Sequence, residues 1–220
     1  MAGRAFVICN FPVMHSSFDK LVEMFMRFPG IGPRQARRFV YFLLALDSGS
    51  LARLTGAIDE LRREAAECRR CGYHFFKKGG PQELCQICAD IHRDKGQLMI
   101  VEKDLDVDSF KKTDSYNGLF YILGGLVPIL EKDPGKKVRL SPLSKLVKEE
   151  SANGNLREII LALSVNPEGD YTIEYLRTLL QPILTGHNIK ISVLGRGLST
   201  GTEVEYSDAE TLRSALENRH

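Results

Sequence analysis

The sequence predicts a multi-domain α+β protein. A helical N-terminal domain leads into a four-cysteine knuckle, and an α/β domain with a mostly parallel sheet and a C-terminal helix follow. Three observations carry this. Apolar residues recur at helical spacing from Phe18 to Ala65. Two Cys-x-x-Cys pairs then sit in "CRRCGYHFFKKGGPQELCQIC", residues 68–88. Beyond them, short apolar runs alternate with helical stretches, the pattern of a parallel sheet covered on both faces.

The chain has 220 residues, 43% hydrophobic and 26% charged, which is enough for two small domains with real cores. No apolar run approaches the roughly 20 residues of a membrane helix. The opening "MAGRAFVICNFPVM" is interrupted by Asn10 and Pro12, and no small-residue cleavage site follows. Residues 1–15 therefore read as a loose leader, Cys9 as an inert thiol, and the protein as cytoplasmic. A net charge of +2 means that any nucleic-acid partner must meet a local basic patch.

The helical domain, 16–66, opens at Ser16-x-x-Asp19, a capping box ahead of Phe18, Leu21, Val22 and Phe25 on one face. Next comes "FPGIGPRQARRFVYFLL", residues 28–44. Pro33 suits the first turn of a second helix, in which Ala36, Phe39, Val40, Leu43 and Leu44 repeat. Gly30 and Gly32 allow backbone geometry that side chains forbid, and they leave amides bare at a helix N-terminus, a ready anion site. Arg34, Arg37 and Arg38 share one sector of that helix. Residues 20–46 hold five basic residues (Lys20, Arg27, Arg34, Arg37, Arg38) against one acidic residue, Glu23. A third helix, about 50–67, carries Leu51, Leu54, Ile58, Leu61 and Ala65 on one face. A Gly-x-Gly turn between two amphipathic helices resembles the helix–hairpin–helix module, which grips DNA phosphates without reading bases. The alternative is a plain helical hairpin with a solvated basic face. The turn, the proline and the arginines together favour phosphate binding.

In the knuckle, 67–95, Cys68 and Cys71 form one pair and Cys85 and Cys88 the other, with thirteen residues between them. Disulfides suit secreted chains and a lone pair could be a redox motif, but two pairs in tandem are zinc-ligand spacing. Four cysteines close the coordination shell, so one structural Zn2+ per chain is expected.

From 96 to 195 the strand candidates are 98–101, 118–123, 158–163 and 189–194. Helical stretches fall at about 106–114, 141–150 and 171–181, with a last one at 208–217 in a C-terminal segment, 196–220. Ligand sites on such sheets lie beyond the strand C-termini. Glu102 follows the first strand directly, and Glu168-Gly169-Asp170 follows the third across a short turn. An acid after strand one plus an acidic-x-acidic triplet after a later strand resembles the Toprim domain, whose carboxylates hold Mg2+. The same acids could instead cap the next helix. "GRGLSTG", 195–201, has the wrong spacing for a dinucleotide fingerprint. No G-x-x-x-x-G-K-[ST] occurs, which excludes a P-loop ATPase. The five histidines form no defensible catalytic or metal-ligand arrangement.

The order of parts resembles the RecR family of bacterial recombination mediators, from about Phe18 to Leu216. The family's "LPGIG" hairpin reads "FPGIGPRQARR" here, with Arg34 and Arg38 on its basic positions. "CQICADIHRD" puts Asp90, Arg93 and Asp94 in register, "IVE" ends at Glu102, and "YNGLFYILGG" and "GRGLSTGTEVEYSDAETL" match further family patterns. Departures are Gln35, Tyr121, Ser199 and Thr202, and a shortened "NPEGD" loop. The resemblance implies a protein that is not an enzyme. It implies a ring-shaped homotetramer on single- and double-stranded DNA, working with RecO and often RecF to load the recombinase on single strands. It implies DNA contacts at Arg27, Arg34, Arg37 and Arg38, with Arg196 a further candidate, and partner docking or doubtful Mg2+ binding at Glu102, Glu168 and Asp170. The alternative is a Mg-dependent Toprim nuclease or primase-like enzyme on the same acids. Against it stand Glu168, where catalytic Toprim domains usually carry aspartate, and the lack of an evident nucleophile.

Overall fold

A computed structural model describes residues 16–217, apart from 78–79, 114, 131–134, 136, 196–197, 199–200, 202 and 208. The leader with Cys9, and the candidate Arg196, lie outside the described residues. The chain divides into two compact units, one ending at Arg63 and the other starting at Glu64.

The first unit is helical. In α1 (Ser17–Phe25) the Ser16 hydroxyl accepts the Asp19 N–H at 3.2 Å and donates to the Asp19 carboxylate at 2.7 Å, so the box expected from sequence caps the helix. α2 (Pro33–Ala45) has Pro33 in its first turn and Gly32 as its N-cap. Val22, Ala36 and Val40 form a small core, with Phe18, Phe25 and Ile31 packed against it. Leu44 is 71% exposed, because the core is narrower than the apolar stripe of α2. One expectation needs correction. Of the two turn glycines only Gly30 has a positive φ, 76°, whereas position 32 is extended at φ −85° and needs no glycine for its backbone.

α3 (Ser48–Glu64) starts where Asp47 accepts the Ser50 N–H at 2.9 Å. It ends three residues before the expected 67, because Ala65–Glu67 form β1 and pair antiparallel with β2 (His74–Phe76). Among the described residues none of α3 is buried, so the stripe Leu51, Leu54, Ile58 and Leu61 is exposed. Helical periodicity shows that a face is apolar; it does not show that the same chain covers it.

The second unit opens with the β1–β2 hairpin. The short helix α4 (Gln86–Ala89) follows, with Cys85 as its N-cap. Then come β3 (Asp94–Val101), α5 (Asp104–Thr113), β4 (Gly118–Ile122), α6 (Leu140–Ala152), β5 (Glu158–Ala162), α7 (Pro167–Leu184), β6 (Lys190–Val193), a 3-10 turn (Val204–Tyr206) and α8 (Ala209–Glu217). Strands β3 to β6 form one sheet in the order β4-β3-β5-β6, with every neighbouring pair parallel. The alternation of runs and helices predicted this, since strands buried on both faces read as continuous apolar runs.

The two faces pack differently. Leu98, Ile100, Leu119, Tyr121, Ile159 and Leu161 face α6 and α7, through residues such as Leu143, Val147, Leu176 and Leu180. The alternate residues Met99, Val101, Phe120 and Ile122 face α5, through Val107, and the four cysteines. The knuckle is thus part of the second unit's core. It is joined to the sheet by the Ile122 N–H, which donates to the Cys71 carbonyl at 2.8 Å.

Candidate metal centre and nucleic-acid interface

Each cysteine pair is held by its own backbone. In the first, the Gly72 N–H donates to the Cys68 carbonyl and the Cys68 N–H to the Tyr73 carbonyl, both at 2.9 Å, which folds 68–73 into a tight loop at the end of the β1–β2 hairpin. Gly72 adopts φ 80°, and the Arg139 guanidinium lies against it where a Cβ would stand. Arg139 also pairs with Glu67 at 3.1 Å and sits over the Tyr121 ring, whose hydroxyl donates to the Arg139 carbonyl at 2.7 Å. Burial pushes that phenol up to about 12. No local sequence signal marks Arg139, which arrives from sixty-seven residues away to close the loop.

All four thiols are buried and unbridged. Their sulfurs lie within 4.8 Å of one another, with Cys71 Sγ and Cys85 Sγ 3.6 Å apart. A tetrahedral ion with sulfur ligands at about 2.3 Å sets neighbouring sulfurs about 3.8 Å apart, so the cluster has the dimensions of a closed four-sulfur site. Backbone amides support the sulfurs: the Tyr73 N–H points at Cys71 Sγ (3.5 Å) and the Cys85 N–H at Cys68 Sγ (3.4 Å). Hydrogen bonding from Cys71, then from Cys85 and Cys88, drives the Cys68 thiol far down. Hydrogen bonding with Cys68, then Cys71 and Cys85, together with burial, drives Cys88 far up. Four thiols this close cannot ionise independently, and a shared cation removes the conflict. The four can hold a metal ion.

The acids expected beyond the sheet are placed at its carboxyl edge. Strand order reverses between β3 and β5, and such a switch point opens a crevice. Glu102 follows β3 and accepts a hydrogen bond from the Ser164 hydroxyl, which comes from the loop after β5. Glu168 and Asp170, however, belong to the first turn of α7, where acids complement the helix dipole. Asn166 caps that helix by accepting the Gly169 N–H at 2.7 Å. Gly169 is required there: a Cβ would meet the Ser164 carbonyl oxygen at 1.8 Å. Among the described residues the cysteines are the group drawn together at ligand distance, and the three acids are not. Sequence reasoning missed Ser164, since its link to Glu102 spans two strands.

In the helical unit, Arg27, in the turn after α1, and Arg34, Arg37 and Arg38 of α2 are all exposed, the three of α2 lying away from buried Ala36 and Val40. No carboxylate among the described residues is paired with any of the four; the Arg38 guanidinium donates to Gln35 Oε1 at 3.4 Å. Gly32 offers no side-chain cap to α2, and nothing lies within 4 Å of a Cβ built on Gly30 or Gly32, so the first amides of α2 are open to an outside acceptor.

Comparison with known proteins agrees along the chain. A family model described as RecR, helix-hairpin-helix matches residues 18–62, the Toprim domain matches 96–195, and RecR, C-terminal matches 197–220. The chain is 36% identical over 204 residues to Recombination protein RecR of Bifidobacterium animalis subsp. lactis (strain AD011), covering 92% of this chain and 95% of that one. Recombination protein RecR of Chloroherpeton thalassium (strain ATCC 35110 / GB-78) is 33% identical over 201 residues, covering 91% and 95%. That of Chloroflexus aggregans (strain MD-66 / DSM 9485) is 36% identical over 200 residues, covering 91% of each. With a helical hairpin, a four-cysteine knuckle and a parallel Toprim sheet in this order, the chain belongs to the RecR family.

Proposed function

We propose that the protein is a recombination mediator in DNA repair, binding DNA through phosphate contacts and carrying out no catalytic step of its own. The observation that carries this is the arginine face of α2 beside a bare Gly-x-Gly helix start. Arg27, Arg34, Arg37 and Arg38 supply charge, and the open amides supply oriented donors. Such contacts fix a backbone and do not read sequence.

Four arginines on one chain neutralise at most about four phosphates, so useful affinity needs several hairpins acting together. The exposed apolar residues of the helical unit, among them Phe42, Leu44, Ile58 and Leu61, suit assembly with further copies. A homotetrameric ring on single- and double-stranded DNA, acting with RecO and RecF in the cytoplasm to load the recombinase on single strands, is the form that the family resemblance supports. Cys68, Cys71, Cys85 and Cys88 hold one structural Zn2+, the ion that suits a closed four-sulfur set. Glu102, Glu168 and Asp170 serve as a partner surface.

Incubation with DNA and Mg2+ or Mn2+ tests the absence of chemistry. The expected outcome is binding without cleavage, relaxation or synthesis. Turnover that disappears in Glu102→Gln would make the protein a Toprim enzyme.

A further inference from the structure

The β1–β2 hairpin, α4 and the residues just after α4 line a pocket of about 460 Å3, which the phosphate contacts of α2 leave unused. Its walls mix two kinds of group: Phe75, Phe76 and Ile87 are apolar, and Asp90, Arg93 and Lys111 are charged. Phe75 and Ile87 also belong to the core beneath. Phe76 does not: it is 58% exposed, on the outward face of β2. An exposed ring at the edge of a pocket of mixed charge is a poor core residue and a good stacking platform.

Arg93 adds an unmet donor. Its Nη1 donates to the Gly118 carbonyl at 3.2 Å. Its buried Nε has no acceptor among the described residues, and Asp90 Oδ2, at 3.9 Å, is beyond hydrogen-bond reach. Asp90 is exposed and receives the His92 N–H at 2.9 Å through its other oxygen. Lys111 reaches the Tyr73 hydroxyl and Asp108, both at 3.3 Å, while staying partly in solvent. A fitting ligand is planar, apolar on its faces, carries donors and acceptors on its edge, and is joined to negative charge. An unpaired nucleobase has all four properties. A base inside a duplex has its faces stacked and its pairing edge used.

We propose that this pocket holds one unpaired base of single-stranded DNA, stacked on Phe76, with its edge at Arg93 and Asp90 and its phosphate at Lys111. The proposal rests on the DNA-binding function above and adds to it a means of telling single strands from duplex. The test uses the full chain and a thymidine oligonucleotide carrying one 2-aminopurine, with a duplex of equal length alongside. The parent should quench 2-aminopurine fluorescence. Phe76→Ala should relieve the quench and weaken single-strand binding about tenfold, with duplex binding within about twofold of the parent. Phe76→Tyr, which keeps the ring, should restore both readings and so separates stacking from a folding defect. Undiminished single-strand binding and quenching in Phe76→Ala would overturn the proposal. So would an equal loss on single strands and duplex, or a loss confined to binding of a protein partner. If the parent binds neither DNA, the DNA-binding function itself fails; if it binds and Phe76→Ala is unaffected, only the pocket fails.

Discussion

Cys85 shows how much one residue can hold. Its sulfur closes the cluster and its backbone starts α4, so removing it leaves three buried thiols around a missing corner. Cys85→Ser should lose stoichiometric metal and loosen the second unit, since metal binding in isolated fingers is worth on the order of 10 kcal/mol of folding. Elemental analysis of chelator-free protein, with thermal unfolding beside it, checks this; a parent without stoichiometric metal contradicts it. Gly169 is a different case, a residue defined by what it lacks. Gly169→Ala should cost about 1 to 3 kcal/mol, because a methyl there must push the start of α7 off the Ser164 carbonyl. Denaturant unfolding measures it, and an unchanged midpoint would show that the loop gives way. The cysteines were legible because their chemistry lies in spacing alone. Gly169 stood in the sequence between two acids that drew attention instead, and its partner oxygen is visible only once β5 and α7 are folded.

The elements of the second unit were legible for a related reason. A strand buried on both faces must be a continuous apolar run, and each run found its strand to within four residues at the N-terminal end of β3 and to within one elsewhere. The third helix is legible in its period, but the period does not say what covers its face. Its stripe, Leu51 to Leu61, is apolar and exposed, because two short helices bury only Val22, Ala36 and Val40 between them. The acidic triplet admits two readings in sequence, a site beyond a strand or the cap of the next helix, and the structure puts Glu168 and Asp170 in the first turn of α7, where Asn166 and Pro167 set the start. Gly56 lies inside α3 with nothing within 4 Å of an added Cβ and no positive φ. Gly56→Ala should therefore stabilise the helical unit by about 0.5 to 1 kcal/mol through helix propensity and a less flexible unfolded chain. A lower melting temperature for this variant would mean that its face of α3 is covered in the assembled protein.

At the scale of the whole molecule, a nearly neutral chain carries a local cluster of arginines on and beside α2, and the same unit leaves the apolar residues Phe42, Leu44, Ile58 and Leu61 exposed. We propose that several copies assemble and that their α2 faces together bind phosphates. Phosphate contacts release counterions, so log affinity should fall linearly with log salt, by about 0.7 to 0.9 per phosphate neutralised. One chain supplies at most about four contacts and an assembly supplies several times that. The direct measurement is a salt titration of DNA binding, with mass determined in solution on the same samples, for the parent and for Arg34→Glu with Arg38→Glu. The predicted result is a parent of four chain masses with a slope steeper than one chain can give, and a double variant of the same mass that no longer binds. A double variant that binds as tightly as the parent, with the same slope, would make α1 and α2 a structural helix pair and put the DNA site elsewhere.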